Sequence, residues 1–393
     1  MNARRVYTFC MWGAFFVCAV VNATQGAMLT SFIDQYGLQS SAQGATSSAQ
    51  SFGQGFSLLF LLTQAGRISK PTVVKLAFIT VVVVLFAVSF MPPFVLLVLL
   101  YGLFGVAFGA TNSTTSSLVA DMYTGGDTSK HMSGLHGAYG LGGLVSPLFF
   151  MALFSAGLYW NISIRVAGVV AAVLLIPFIF LSRHTLRSIE LPKSSNLKIT
   201  LGDIGGFLKQ SRNIMLFFGV LFYGAHQSVF VVWLIRYVSV YLESPSLGAL
   251  SLSLFWAGIT ISRLFMHRIL PIPPIKVVLY GNFVAMIAIS IGVFSGSAIV
   301  MACCALVAGF SNGTSVPVFL AVGCADNQGN TVLPTNVLNL ALFIAFATCP
   351  LIVGALVAAT TMSAGMYLSA FCTLMCSVSL LFYCIKSAKL KKV

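Results

Sequence analysis

Four large polar side chains, Gln25, His136, His226 and Gln227, lie deep within apolar stretches of this chain. A buried amide or imidazole without a hydrogen-bond partner is costly, so each must meet another side chain or a polar solute. The chemistry on offer is recognition and, at the two histidines, proton carriage, because an unperturbed imidazole titrates at about 6.5. Smaller polar residues accompany them: Asn22 and Thr24 beside Gln25, the run Thr111 to Thr115 with Asn112, the run Ser311 to Ser315 with Asn312, and Asn339. Tyr139, Tyr223, Trp233 and Trp256 supply faces on which a sugar or a flat solute can stack while its edge is hydrogen-bonded. The serines and threonines have a second use, since in apolar helices they bond their own backbone or a neighbouring helix. The glycines at 137, 140, 142 and 143 suit close helix packing. No phosphate-binding glycine loop, His-Glu-x-x-His pair or nucleophile with an adjacent base accompanies these residues, so neither an enzyme nor a bound cofactor or metal is expected.

The elements that must position these groups are membrane helices. The chain is 58% hydrophobic and only 7% charged, too apolar for a water-soluble domain of 393 residues. Twelve apolar segments approach the roughly 20 residues needed to cross a bilayer. They fall near 8–32, 43–65, 72–91, 94–121, 132–156, 162–181, 214–238, 247–266, 276–294, 298–323, 332–358 and 363–385. The expected fold is all-α and polytopic, with an N-terminal six-helix bundle over 1–181, a basic linker over 182–213, and a C-terminal six-helix bundle with a basic tail over 214–393. The net charge of +14 does not point to nucleic acid, because the cations sit in short connections instead of on one face. They collect on one side with the linker and both ends, which predicts cytoplasmic termini and a cell (inner) membrane location. The nine cysteines lack metal-ligand spacing and are expected to pack as reduced apolar side chains.

The two halves repeat each other. Arg67 and Lys75 match Arg268 and Lys276; Gly105, Gly109 and Asp121 match Gly309, Gly313 and Asp326; His136 and Pro147 match Asn339 and Pro350; Gln25 and Asp34 match Gln227 and Arg236. Every offset is about 201 to 205 residues and the order is kept, which is the pattern of an internal duplication. With this repeat, the basic central stretch and the loop Gly66-Arg67-Ile68-Ser69-Lys70, the chain resembles the major facilitator superfamily of secondary transporters along essentially its full length. The loop lacks the acidic residue usual in that signature. The run from His136 to Pro147 (HGAYGLGGLVSP) and that from Phe255 to Arg263 (FWAGITISR) are similar to the fucose-permease-like sugar transporter branch.

That resemblance implies that spans 1, 4, 7 and 10 line a central cavity, that 2, 5, 8 and 11 flank it, and that 3, 6, 9 and 12 face lipid. Asn22, Thr24 and Gln25, the run Thr111 to Thr115, His226 and Gln227, and the run Ser311 to Ser315 fall on spans 1, 4, 7 and 10 in agreement. The expected function is movement of a small polar solute, sugar-like or a small organic acid, by alternating access in a lipid bilayer, with protons as a second partner and a monomer as the unit. An exporter of drugs or amphipathic lipids is the alternative, weakened by the lack of a central acid. Expected solute contacts are Asn22, Gln25, Asn112, His136, Tyr139, Tyr223, His226, Gln227, Trp256, Asn312 and Asn339. His136 and His226 are the candidates for proton coupling, because Gly26 and Ala110 stand where the sugar symporters of that branch carry carboxylates. Gates are expected from Asp34 with Arg236 at the outer ends of spans 1 and 7, and from Arg67, Asp121, Arg268 and Asp326 at the inner ends. Arg263, on span 8, is expected to serve either an anionic group or the fold itself.

Overall fold

A computed structural model describes residues 3–39, 42–63, 68–122, 126–185, 200–269, 272–325 and 332–390. Within them the secondary structure is helical: α1 (Ala3–Tyr36), α2 (Ala45–Thr63), α3 (Lys70–Ser89), α4 (Phe94–Met122), α5 (Gly126–Ser155), α6 (Trp160–Thr185), α7 (Leu201–Lys209), α8 (Ser211–Arg236), α9 (Pro245–Ile269), α10 (Pro274–Phe294), α11 (Ala298–Asn312), α12 (Ser315–Ala325), α13 (Val332–Ala359) and α14 (Met362–Leu390). A π-helical turn, Tyr237–Tyr241, extends α8. Ten of the described helical stretches are long and apolar enough to cross a membrane, and Trp160–Ile176 is a shorter apolar one. The chain is an integral, multi-pass membrane protein. The apolar faces of α3, α6, α10 and α14 remain exposed at Leu76 and Val83, Val173 and Ile176, Ile287 and Ile291, and Phe371 and Phe382, as helices bathed in acyl chains require.

Two compact units form. One comprises Met1–Ser31 with Ala49–Lys198, and the other Phe32–Ser48 with Ile199–Val393. Each is held by glycine-mediated helix crossings, and the crossings correspond. In the first unit a Cβ on Gly53 of α2 would lie 2.9 Å from the Val106 nitrogen of α4, and one on Gly105 would overlap the Gln50 backbone. In the second, a Cβ on Gly258 of α9 would lie 2.6 Å from the Phe310 nitrogen of α11, and one on Gly309 would overlap the Phe255 backbone. Gly109 against Gln54 and Gly313 against Ile259 complete the set. Only a residue without a side chain lets the two backbones approach this closely, so each glycine is required by its crossing. The helix ends repeat too: two residues past the end of α3 stands Met91 with φ 54°, and two past the end of α10 Gly296 with φ 61°, both left-handed.

Two features differ from the sequence expectation. Span 10 is not one helix over 298–323: α11 ends at Asn312 and α12 begins at Ser315. The cause is Pro317, which has no N–H to give to the carbonyl four residues back and whose ring crowds it. That carbonyl belongs to Gly313, and Arg263 Nε donates to it instead at 3.0 Å. The basic stretch also contains structure: α7 occupies Leu201–Lys209, started by a capping box in which Thr200 and Asp203 satisfy each other's backbone N–H. The Thr200 hydroxyl and backbone N–H hold the Asp203 carboxyl below the usual carboxylate range. The cap is therefore complete above the unfolded carboxyl's pKa and is lost as pH falls through the depressed folded value.

Candidate functional site

In the first unit α1, α2, α4 and α5 bring a polar cluster together inside apolar helices. Asn22 Nδ2 donates to the Tyr139 hydroxyl at 3.0 Å, and Gln50 Nε2 donates to Asn22 Oδ1. The Tyr139 ring stacks on Phe108 with centroids 5.8 Å apart and planes within 8°, and meets Phe15 at 5.1 Å. His136, one turn before Tyr139 on α5, is exposed and sets its ring edge-on to Phe15 at 5.7 Å. Thr24 shares a hydrogen bond with Tyr101 at 3.1 Å, closing the cluster on the α4 side. Amide, phenol and imidazole beside flat aromatic faces are the groups that hydrogen-bond and stack a small polar ring.

The second unit holds its own network. His226 is fully buried on α8, its Nδ1 2.7 Å from the Ser369 hydroxyl of α14 and its Nε2 2.9 Å from Asn312 Nδ2 of α11. Phe230 and Phe255 flank the imidazole at 4.9 and 5.8 Å. Tyr223, one turn before His226, is likewise fully buried, as is Trp256 to within 2% of its surface, and Gln227 is buried beside them. With both ring nitrogens engaged, His226 joins three helices of the unit. Asn282 Nδ2 of α10, 3.1 Å from the Ser315 hydroxyl, ties α12 into the same core.

Asn22, Tyr139 and His136 therefore gather in one unit, and Tyr223, His226 and Asn312 in the other. Asn112 and Asn339 are half-buried on α4 and α13. The side chains of Gln25, Asp121 and Arg268 lie outside the described part, as do residues Arg67 and Asp326 altogether. Asp34 and Arg236 belong to the second unit, where the carboxylate acts electrostatically on the half-buried guanidinium. The threonines of α4 turn inward on their own helix: Thr111 donates to the Ala107 carbonyl at 2.9 Å and Thr115 to the Thr111 carbonyl at 2.7 Å. Ser311 and Ser315 do the same through Val307 and Asn312.

Two participants escaped the sequence reading. Gln50 stands on α2, whose Thr46, Ser47, Ser48, Gln50, Ser51 and Gln54 are all buried. The signal lies in the sequence, since amides and hydroxyls recur along α2 at helical spacing. Ser369 is one of several hydroxyls on α14, and nothing in the sequence sets it apart from Thr373, Ser377 or Ser379.

Comparison with curated proteins finds no match. Among solved structures, a bacterial homologue of the human lysosomal transporter Spinster is similar in two forms. In the inward-facing, occupied form the identity is 12%, with 98% of this chain and 96% of that chain covered at a TM-score of 0.70. In the inward-facing, unoccupied form it is 14%, with 99% and 98% covered at 0.72. The human organic anion transporter MFSD10 is similar at 15% identity over 97% of this chain and 100% of that chain, with a TM-score of 0.68. At these identities the likeness is one of fold. The family model of the Major Facilitator Superfamily matches residues 11–326, most of the length over which the repeated glycine crossings run, and the chain belongs to that superfamily of transporters.

Proposed function

We propose that this protein moves a small polar solute, sugar-like or a small organic acid, across a cell (inner) membrane with both termini cytoplasmic, and that the solute meets the Asn22, Gln50 and Tyr139 cluster on its way. The observation that carries this reading is the cluster itself: an amide pair and a phenol joined to stacked aromatic rings inside one apolar unit. Tyr223, His226, Gln227, Trp256, Asn312 and Asn339 are the proposed contributors from the second half, with Gln25, Asn112 and His136 from the first. Where a proton accompanies the solute, His136 is the better placed carrier, because it is exposed while His226 is fully buried. The sugar-like reading is supported by the run from His136 to Pro147, and the acid reading by the description of MFSD10 as an organic anion transporter.

Asp34 and Arg236 are the proposed outer latch, and Arg67, Asp121, Arg268 and Asp326 the proposed inner one. Gly44, whose Cβ would lie 2.5 Å from the Pro350 carbonyl carbon, adds a close backbone contact within the Asp34 and Arg236 unit. Proteoliposome uptake of labelled monosaccharides and small carboxylates tests both the function and the latch. Uptake above protein-free vesicles is expected for one of these classes, and none for either class would overturn the proposal. Asp34→Arg or Arg236→Asp alone should slow that uptake by roughly tenfold, as loss of about 1–2 kcal/mol of attraction implies. The double reversal should restore most of it, and its failure to do so would remove the latch.

A further inference from the structure

Arg263 lies on α9 within two turns of its C-terminal end, half-buried among helices that offer it no counter-charge. The helices α8 to α14 contain no aspartate or glutamate at all. One of its five N–H groups is accounted for by the Gly313 carbonyl that Pro317 leaves vacant. Beside it stands the Tyr223 hydroxyl, on a fully buried residue, close enough to interact with the guanidinium and with no acceptor for its own proton. The Thr314 hydroxyl, next in sequence to the Gly313 carbonyl, is a second buried and unpartnered group. A guanidinium in a membrane interior without a carboxylate, flanked by a phenol free to donate, presents donors and positive charge and lacks an acceptor.

We infer that Arg263, with Tyr223 beside it at the break between α11 and α12, receives the carboxylate of a small organic anion. The planar guanidinium suits a carboxylate, and a single charge suits a monoanion, because no second lysine or arginine occurs on α8 to α14 away from the helix ends. The bond to Gly313 fixes the Arg263 side chain through Nε, leaving the terminal nitrogens to the ligand, and the Tyr223 hydroxyl donates to the second carboxylate oxygen or to the same one. This deepens the transporter reading and rests on it: of the two solute classes proposed above, it selects the acid.

The inference is tested on the purified full-length protein by thermal shift against sodium lactate, benzoate and succinate, with glucose and fucose as neutral probes and sodium chloride and inorganic phosphate as anion controls. A ligand that binds the folded state alone raises the melting temperature. A monocarboxylate should raise it in a saturable way, and the neutral and inorganic probes should not. Arg263→Gln should weaken that response by about tenfold or more, and Tyr223→Phe by a smaller factor. Because Arg263 also supports Gly313, the same substitution is made in a Pro317→Ala background, where the restored N–H at 317 takes the Gly313 carbonyl and the fold no longer depends on the guanidinium. Loss of the carboxylate response in that double variant, with retention in Pro317→Ala alone, supports the site. A response unchanged by the loss of Arg263, one given only by sugars, or one given equally by phosphate or chloride overturns it. Uptake of a neutral solute by the Arg263 variant would leave the transporter reading standing while this inference fails; absence of any uptake by the wild-type protein would remove both.

Discussion

Gly105→Val and Gly309→Val are each expected to lower the melting temperature sharply and to leave little monodisperse protein after detergent extraction. A Cβ at Gly105 would overlap the Gln50 backbone, and one at Gly309 the Phe255 backbone. Backbone of a packed helix cannot rotate away as a side chain tip can, so the two helices must separate along the whole crossing. Overpacking in a core costs about 1–3 kcal/mol, and these sites belong at the upper end because the obstacle is main chain on both sides. Gly13→Val and Gly137→Val provide the contrast, since nothing lies within 4 Å of a Cβ at either position. Their cost should stay within the small propensity difference between glycine and valine in a helix. Near-native melting of the Gly105 and Gly309 variants would mean that the crossings do not hold the units together.

The second large effect is expected at the Asn22 and Gln50 amide pair, and it lies in the shape of a double-mutant cycle. Asn22→Leu removes the acceptor of the Gln50 amide and the donor to Tyr139; Gln50→Leu removes the donor to Asn22. Each single change breaks a hydrogen bond inside the unit and sets the facing amide against leucine, at a cost of about 1–3 kcal/mol. Changing both replaces the amide pair by two apolar side chains, so the double variant should be no less stable than the worse single one, with a coupling energy of about 1 kcal/mol or more. Uptake should behave differently. If these amides hold the solute, the double variant recovers stability and stays at least about tenfold impaired in transport. Additive melting-temperature losses would contradict the pairing, and full transport by the double variant would contradict its role at the solute site.

Much of this was legible in the chain. The duplication predicted from Gly105 and Gly309 reappears as corresponding backbone crossings, because a residue lacking Cβ is a direct statement that something must come close. Polar residues in apolar stretches likewise marked Asn22, Tyr139, His226 and Asn312, since hydrocarbon leaves such groups few alternatives. What the sequence did not convey was which partner each would find. The Gln50 amide bonds Asn22 across helices, and Ser369 approaches His226 from α14, pairings set by helix rotation, which composition does not encode. The break in span 10 was encoded after all: Pro317 dictates an orphaned carbonyl at Gly313, but that Arg263 would fill the position depends on the α9 and α11 crossing. The threonines of α4 bond their own carbonyls, the use that hydroxyls in apolar helices suggest by residue type.

The central claim is that solute crosses by alternating exposure of a polar site and not through a continuous pore. Counterflow tests it most directly: proteoliposomes loaded with a high concentration of unlabelled solute, from whichever of the monosaccharide or carboxylate classes is taken up, are diluted into a trace of the labelled form. A carrier that binds solute on one side before releasing it on the other must draw label inward transiently above its equilibrium level, with the overshoot lost in the Asn22→Leu, Gln50→Leu double variant. Monotonic equilibration without overshoot in the wild-type protein, at a rate that does not saturate with solute, would contradict alternating access and the account built on it.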